Sequence, residues 1–196
     1  MTTQLTTQRL QVAVIVGSTR EGRFAPTVRN WFVSVAGQRD DLAVDVIDLA
    51  GAGGERPEIL DSPAAPAIGS ITPRIAAADA YVVITPEYNH SFPGDLKQAI
   101  DWHREEWQAK PVGFVSYGGV AGGLRAVEQL RLVFAELHAP TMRDTVSFHG
   151  VWQRFGPDGR PHDEAGPAGA AKVLLDQLTW WGVTLRDAKA ARPYAA

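Results

Sequence analysis

The chain contains no cysteine. Disulfides, thiolate nucleophiles, iron–sulfur ligation and zinc–thiolate sites are therefore excluded as working parts. A basic excess is missing too: 19 Lys and Arg stand against 22 Asp and Glu, a net charge of −3. A dedicated nucleic-acid binder needs phosphate-neutralising charge that this balance does not offer. No apolar run approaches the length of a membrane span. The start, MTTQLTTQRL, lacks the cationic and apolar regions of a signal peptide, so a cytoplasmic protein is expected. Several catalytic patterns are missing as well. No serine has glycines at both −2 and +2, which removes the nucleophile elbow. The five histidines, 90, 103, 138, 149 and 162, show no H-E-x-x-H or comparable metal spacing, and no metal site is expected. Nor is there an internal repeat or a low-complexity segment.

What is present is an alternation of buried strands and amphipathic helices. With 45% apolar residues in 196, the chain suits one domain with a sizeable core. Leu10 to Val16 (LQVAVIV) is nearly all apolar and β-branched, the pattern of a strand covered on both faces. Val28, Trp31, Phe32 and Val35 then fall at i, i+3, i+4 and i+7, a helix with Pro26 in its first turn. Leu42 to Leu49 reads as a strand near an edge, because Asp45 and Asp48 interrupt it. Gly51 to Gly69 is a long Gly/Pro-rich connection, followed by a short helix around 73–78. Further strands are expected at 80–85, 111–117 and 141–148. Helices follow from Leu96, Ala99, Ile100, His103 and Trp107, from Leu124, Val127, Leu130, Phe134 and Leu137, and over about 169–181. Parallel strands need crossovers, so this order implies an α/β three-layer sandwich around a five-stranded parallel sheet.

In such a sheet ligands bind beyond the carboxyl ends of the strands, where strand order reverses. With order 2-1-3-4-5 the first, third and fourth exits are neighbours, and all three have unusual composition. The first reads GSTREGRFAP. Ser18, Thr19 and the backbone N–H groups ahead of the helix can cradle an anion, and Arg20 and Arg23 add forked cations suited to phosphate. The alternative is a turn and helix cap with two solvated arginines. A P-loop is approached by Gly17 and Gly22, but Arg23 and Phe24 stand where Lys and Ser/Thr belong. The third exit, Pro86-Glu87-Tyr88-Asn89, offers an acid, a phenol and an amide to the edge of a flat ring, and Pro93-Gly94 then opens a fresh helix. His90 lies inside that loop. The fourth, Ser116-Tyr117-Gly118-Gly119 continuing to Gly123, can bring backbone N–H groups close to a ring. From 118 to 123 it has no aromatic, which leaves room for a second flat ring bordered by loops 51–69 and 149–168. Lys97 and Asp101 read as a modest surface pair.

These segments together resemble the NADPH-dependent FMN reductase family, which includes quinone, azo and chromate reductases. The resemblance is carried by Gly17-Ser18-Thr19-Arg20 with Gly22-Arg23, by Pro86-Glu87-Tyr88-Asn89 with Ser91 and Pro93-Gly94, and by Leu96-Lys97 with Ala99-Ile100-Asp101-Trp102. Gln98 stands where the family often has Asn. The likeness implies a flavodoxin-like fold over residues 10–185, between tails at 1–9 and 186–196. It implies FMN as cofactor and NADPH or NADH as donor. Ser18, Arg20, Arg23, Phe24 and Ala25, with Thr19, would surround the phosphate. Pro86, Glu87, Tyr88 and Asn89 would line the isoalloxazine, and Ser116, Tyr117, Gly118 and Gly119 its other edge. The flavin would carry the chemistry, so no side chain is named as a catalytic acid or base. The acceptor would be a quinone-like, flavin or other small molecule, and the assembly a homodimer or homotetramer. An excess of aromatics on the third helix, Trp102, His103 and Trp107, would suit that assembly unless they are core. A flavodoxin-type electron carrier is the alternative reading, and a flavin-free scaffold a third.

Overall fold

A computed structural model describes residues 8–51 and 66–195, with the side chains of 66–69 excepted. Strands β1 (Leu10–Val16), β2 (Leu42–Asp48), β3 (Ala80–Pro86), β4 (Val112–Gly118) and β5 (Val146–His149) alternate with helices α1 (Ala25–Ala36), α2 (Pro66–Ala77), α3 (Gly94–Asp101), α4 (Leu124–Glu136) and α5 (Ala165–Ala191). The strands form one parallel sheet in the order β2-β1-β3-β4-β5. Period-two alternation sends Val12, Val14 and Val16 to one face, against α1 and α5. Ala13 and Ile15 go to the other, against Ile71 and Ile75 of α2, Leu96 of α3 and Leu130 of α4. Both faces of β1 are thus covered, which is why it contains no charge.

The differences from the expected boundaries have local causes. Helix α2 starts at Pro66 and runs through Pro73. Pro73 lacks the N–H of a regular turn, but it faces solvent while Ile71 and Ile75 hold the helix on the sheet. The expected loop 51–69 lies outside the described residues between 52 and 65. Helix α3 ends at Asp101, and a 3-10 turn at Glu105–Trp107 follows. His103 and Trp107 are buried there rather than displayed. Trp107 meets Tyr81 at 4.6 Å and Phe134 at 5.4 Å between ring centroids. His103 bonds Ala99 O at 2.8 Å and Thr72 Oγ1 at 2.9 Å. His103 and Trp107 are therefore core and give no support to a dimer, while Trp102 is half-buried.

Strand β5 is shorter than the expected 141–148. Thr141 makes only an isolated bridge to Val112, because the Arg131 guanidinium takes the carbonyls of Met142 at 2.7 Å and Arg143 at 2.9 Å. Helix α5 is longer than 169–181 at both ends. Pro167 lies in its first turn, where a missing donor is tolerated, and residues 186–191, expected in a tail, continue the helix. Among the described residues no helix is long and apolar enough to cross a membrane.

Candidate functional site

The carboxyl ends of β1, β3 and β4 converge. Gly17 N–H donates to Ile84 O at 2.9 Å and Glu87 N–H to Tyr117 O at 3.2 Å. Ser18, fully buried, shares a 2.7 Å hydrogen bond with Tyr88 Oη across seventy positions of sequence. Arg20, exposed, holds its guanidinium carbon 3.5 Å from the centroid of the Tyr88 ring. Thr19 donates to Asp95 in the first turn of α3. Ser18, Thr19, Arg20, Pro86, Glu87, Tyr88, Tyr117 and Gly118 are thus brought to one place.

The loop after β1 has the open donors an anion needs. Among the described residues, the backbone N–H groups of Ser18 to Gly22 and of Phe24 and Ala25 find no protein acceptor, while that of Arg23 closes the Glu21–Gly22 turn. A run of N–H groups without protein acceptors ahead of a helix is an anion cradle. The side chains behave less uniformly. Arg23 does not reach toward the cradle. Its two terminal nitrogens bind both oxygens of Asp48, at 2.6 and 2.9 Å, and one also holds Ser18 O at 2.5 Å. Arg29 adds a third contact to Asp48 at 3.1 Å. Burial alone would raise the Asp48 carboxyl; the hydrogen bonds from Arg23, the Ala50 N–H and both guanidinium charges outweigh it and hold the group below the usual carboxylate range. Phe24 turns inward to Phe155, with ring centroids at 5.5 Å, and the Ala25 side chain is fully buried. Ala25 can therefore offer a ligand only its backbone, and the Phe24 side chain is partly taken up by packing.

The third loop is a tight hairpin. Tyr88 and Ser91 exchange both backbone hydrogen bonds, at 2.9 and 3.0 Å, across Asn89 and His90, whose φ values are +49° and +70°. Positive φ at both central residues is the type I′ turn, which favours Asn. Asn89 is therefore a turn residue at an exposed tip. Helix α4 braces the hairpin: Gln129 Nε2 donates to His90 O at 2.8 Å and Ser91 Oγ donates to Gln129 Oε1 at 2.5 Å. Glu87 is nearly covered. One carboxylate oxygen accepts from Arg125 at 2.8 Å, while Oε2 is buried with no partner among the described residues.

In the fourth loop Ser116 looks inward, and its hydroxyl donates to Gly122 O at 2.8 Å. Gly122 and Gly123 have φ of +60° and +86°. A Cβ on Gly122 would stand 2.5 Å from Ser147 Oγ, and one on Gly123 2.6 Å from Ser116 Cβ. Tyr117 Oη is buried and has no partner in full hydrogen-bonding geometry among the described residues, although the Ser18 hydroxyl lies close enough to favour its ionised form slightly. Burial is the main reason its phenol is pushed above the ordinary tyrosine range. Gly119 is exposed, and an aromatic does stand beside it: Trp152, from the loop after β5, lies 4.0 Å from where a Gly119 Cβ would be. Inspection of residues 118–123 alone could not reveal that neighbour. Asp48 and Arg125 were also outside the expected set. An acid at the exit of the strand flanking an arginine-bearing loop was the available signal for Asp48. Among the described residues no cluster of three or more His, Asp or Glu side chains could hold a metal.

A parallel sheet of this order, with its working loops at the β1, β3 and β4 exits, defines a flavodoxin-like protein, the arrangement that receives FMN at its switch point. Residues 10–153 match the NADPH-dependent FMN reductase family, and the chain belongs to it. An NAD(P)H-dependent FMN reductase of Schizosaccharomyces pombe is 34% identical over 146 residues, 67% of this chain and 70% of that protein. A quinone reductase of Escherichia coli K12 is 33% identical over 193 residues, 93% of this chain and 98% of its own. Among solved structures, the flavoenzyme NAD(P)H:(acceptor) oxidoreductase FerB from Paracoccus denitrificans superposes with a TM-score of 0.69 at 25% identity, covering 89% of this chain and 98% of FerB. The chain is an FMN-dependent NAD(P)H oxidoreductase.

Proposed function

We propose that FMN sits with its phosphate on the Ser18–Ala25 backbone and its ring system between the β3 and β4 loops, and that a quinone-like small molecule receives the electrons. The observation that carries this reading is the run of N–H groups without protein acceptors among the described residues of the loop after β1, which also bears Arg20 over the Tyr88 ring. Two orphaned polar atoms support the ring placement. Glu87 Oε2 can accept a hydrogen bond and Tyr117 Oη can donate one, and both are buried without partners among the described residues. When bound, FMN supplies the capacity to take a hydride and pass electrons onward. The protein's share is placement. Arg23 and Asp48 hold the phosphate loop, Gln129 holds the Tyr88 hairpin, and Gly122 and Gly123 let the fourth loop fold under the ring edge. A quinone-like acceptor is suggested by the Escherichia coli relative, named a quinone reductase.

The test compares FMN with riboflavin, which lacks the phosphate. At roughly a thousand times its dissociation constant, FMN adds about 4 kcal/mol of apparent stability, and riboflavin adds far less. NADPH then bleaches the bound flavin, and a simple quinone restores the colour. Equal protection by riboflavin would remove the phosphate assignment. Self-association into a homodimer or homotetramer is a further part of the proposal, supported by Leu132 on α4, 75% exposed; light scattering at micromolar concentration tests it. A cytoplasmic setting, where the nicotinamide donors are abundant, suits the same reading.

A further inference from the structure

The loop leaving β5 is stitched to the fourth loop at three points. His149 pairs with Gly118 in register. Gly150 N–H donates to Gly119 O at 2.8 Å, and His149 Nδ1–H donates to Val120 O at 2.8 Å. Next comes a 3-10 turn, Val151–Gln153, that buries Val151 completely and so turns Trp152 outward. The Trp152 indole is 68% exposed. Arg154 is fixed by one bond, Nε–H to His149 O at 3.0 Å. Its two terminal nitrogens have no carboxylate partner among the described residues. Gly119, Val120, His149, Trp152, Gln153 and Arg154 line one open cleft beside the ring-edge loop.

A large exposed aromatic rimmed by polar groups marks a binding surface. Beside it stands an exposed guanidinium oriented at one nitrogen, with the other two free of protein acceptors among the described residues and so available to grip a phosphate in a fork. A flat face with a fixed cation selects a planar ligand bearing anionic charge. A neutral quinone has no use for the cation, whereas the nicotinamide dinucleotide carries both parts. We infer that Trp152 and Arg154 form the docking site of the NAD(P)H donor, Trp152 against a flat base and Arg154 on a phosphate. This rests on the flavin placement proposed above, because the cleft adjoins the loop assigned to the ring edge. The phosphate has two sources, the pyrophosphate of both donors or the 2′-phosphate of NADPH alone.

The experiment uses the full chain reconstituted with FMN. Calorimetry measures binding of the unreactive NADP+ and NAD+, and steady-state assays give KM for NADPH, NADH and a simple quinone. Trp152→Ala and Arg154→Ala are compared with Trp152→Phe and with Arg143→Ala, an exposed cation ahead of β5 at the opposite end of the sheet. Losing a charge-assisted hydrogen bond or a stacked ring weakens NADP+ binding about tenfold and raises the NADPH KM to match. FMN affinity and the quinone KM stay within about twofold, while Trp152→Phe retains most of the binding and Arg143→Ala all of it. A loss shared by NADP+ and NAD+ assigns Arg154 to the pyrophosphate, and one confined to NADP+ assigns it to the 2′-phosphate. Unchanged dinucleotide binding overturns the inference, as does an effect confined to the quinone KM or to FMN affinity. A wild-type chain that binds NADP+ but takes no FMN would instead sink the cofactor placement.

Discussion

Replacing Asp48 by Asn leaves the shape of β2 intact but removes the charge on which Arg23 and Arg29 converge. The pair is neither free nor fully sequestered, the two side chains being 16% and 18% exposed. An exposed ion pair contributes about 0–1 kcal/mol and breaking a fully buried one costs about 3–5, so a loss of about 2 kcal/mol is expected. For a domain of this size that lowers Tm by about 4–8 °C. The pH dependence has a definite sign. Asp48 titrates lower in the folded chain than in the unfolded one, so its stabilisation is complete above the unfolded value of about 3.9 and is lost as pH falls through the folded value. The gap in Tm between wild type and Asp48→Asn is therefore full at pH 7 and narrows below about pH 4. The same substitution tests what Arg23 does for the cofactor. If Arg23 clamps the phosphate loop, Arg23→Ala and Asp48→Asn weaken FMN binding to similar degrees, and the double variant is little worse than either. Flavin fluorescence titration of the four proteins measures this. Weak FMN binding by Arg23→Ala beside normal binding by Asp48→Asn would mean that Arg23 meets the phosphate itself, and the clamp would be wrong.

Arg20→Ala weakens FMN binding by about tenfold or more, the worth of a charge-assisted bond. Lys97→Ala, which removes an exposed pair to Asp101, changes it by less than twofold; equal titrations for the two variants would refute the assignment. Gly123→Ala forces a side chain into left-handed backbone and against Ser116, and lowers Tm by more than Gly169→Ala, where the added carbon meets nothing. Tyr117→Phe removes an orphaned hydroxyl. It leaves the FMN-free chain as stable or more so, yet weakens FMN binding if the flavin satisfies that hydroxyl; paired melts with and without FMN separate the two effects. Burial, with the nearby Lys189 charge, lowers the Lys110 ammonium to about 8, against smaller opposing pulls from Asp79 and Glu106. The folded chain then releases that proton before the unfolded one does, so wild-type stability rises relative to Lys110→Met between about pH 8 and 10.5. Parallel melting curves over that range would disprove it.

The sheet was legible because its signal is local. LQVAVIV and AYVVITP announce buried parallel strands, and the three loops of odd composition leave the strands that the order 2-1-3-4-5 sets side by side. The convergence of Ser18 with Tyr88 followed from that order. What escaped depended on partners distant in sequence. Nothing in Thr141–Thr145 says that Arg131 will take its carbonyls. Gly166, Pro167 and Gly169 look like a break, although a first turn accepts them. Arg23 carries the charge of a phosphate ligand, but Asp48 claims it first, and the claim depends on β2 lying beside β1. Asn89 offered an amide to a ring, yet its positive φ marks it as a hairpin residue. Trp152 lies beyond β5, outside the three exits marked by their composition, and its value comes from the neighbour it leans on.

The Arg23–Asp48 contact ties the phosphate loop to β2, the outermost strand of the sheet, which among the described residues pairs only with β1. Edge strands open locally at lower free energy than central ones, without global unfolding. Each such opening would carry Asp48 away from Arg23 and slacken the loop around Ser18. The residence time of FMN would then follow the breathing of β2 rather than the stability of the whole domain. In hydrogen exchange, the amides of β2 should exchange at a rate that tracks the rate at which FMN departs, while those of β3 and β4 stay protected far longer.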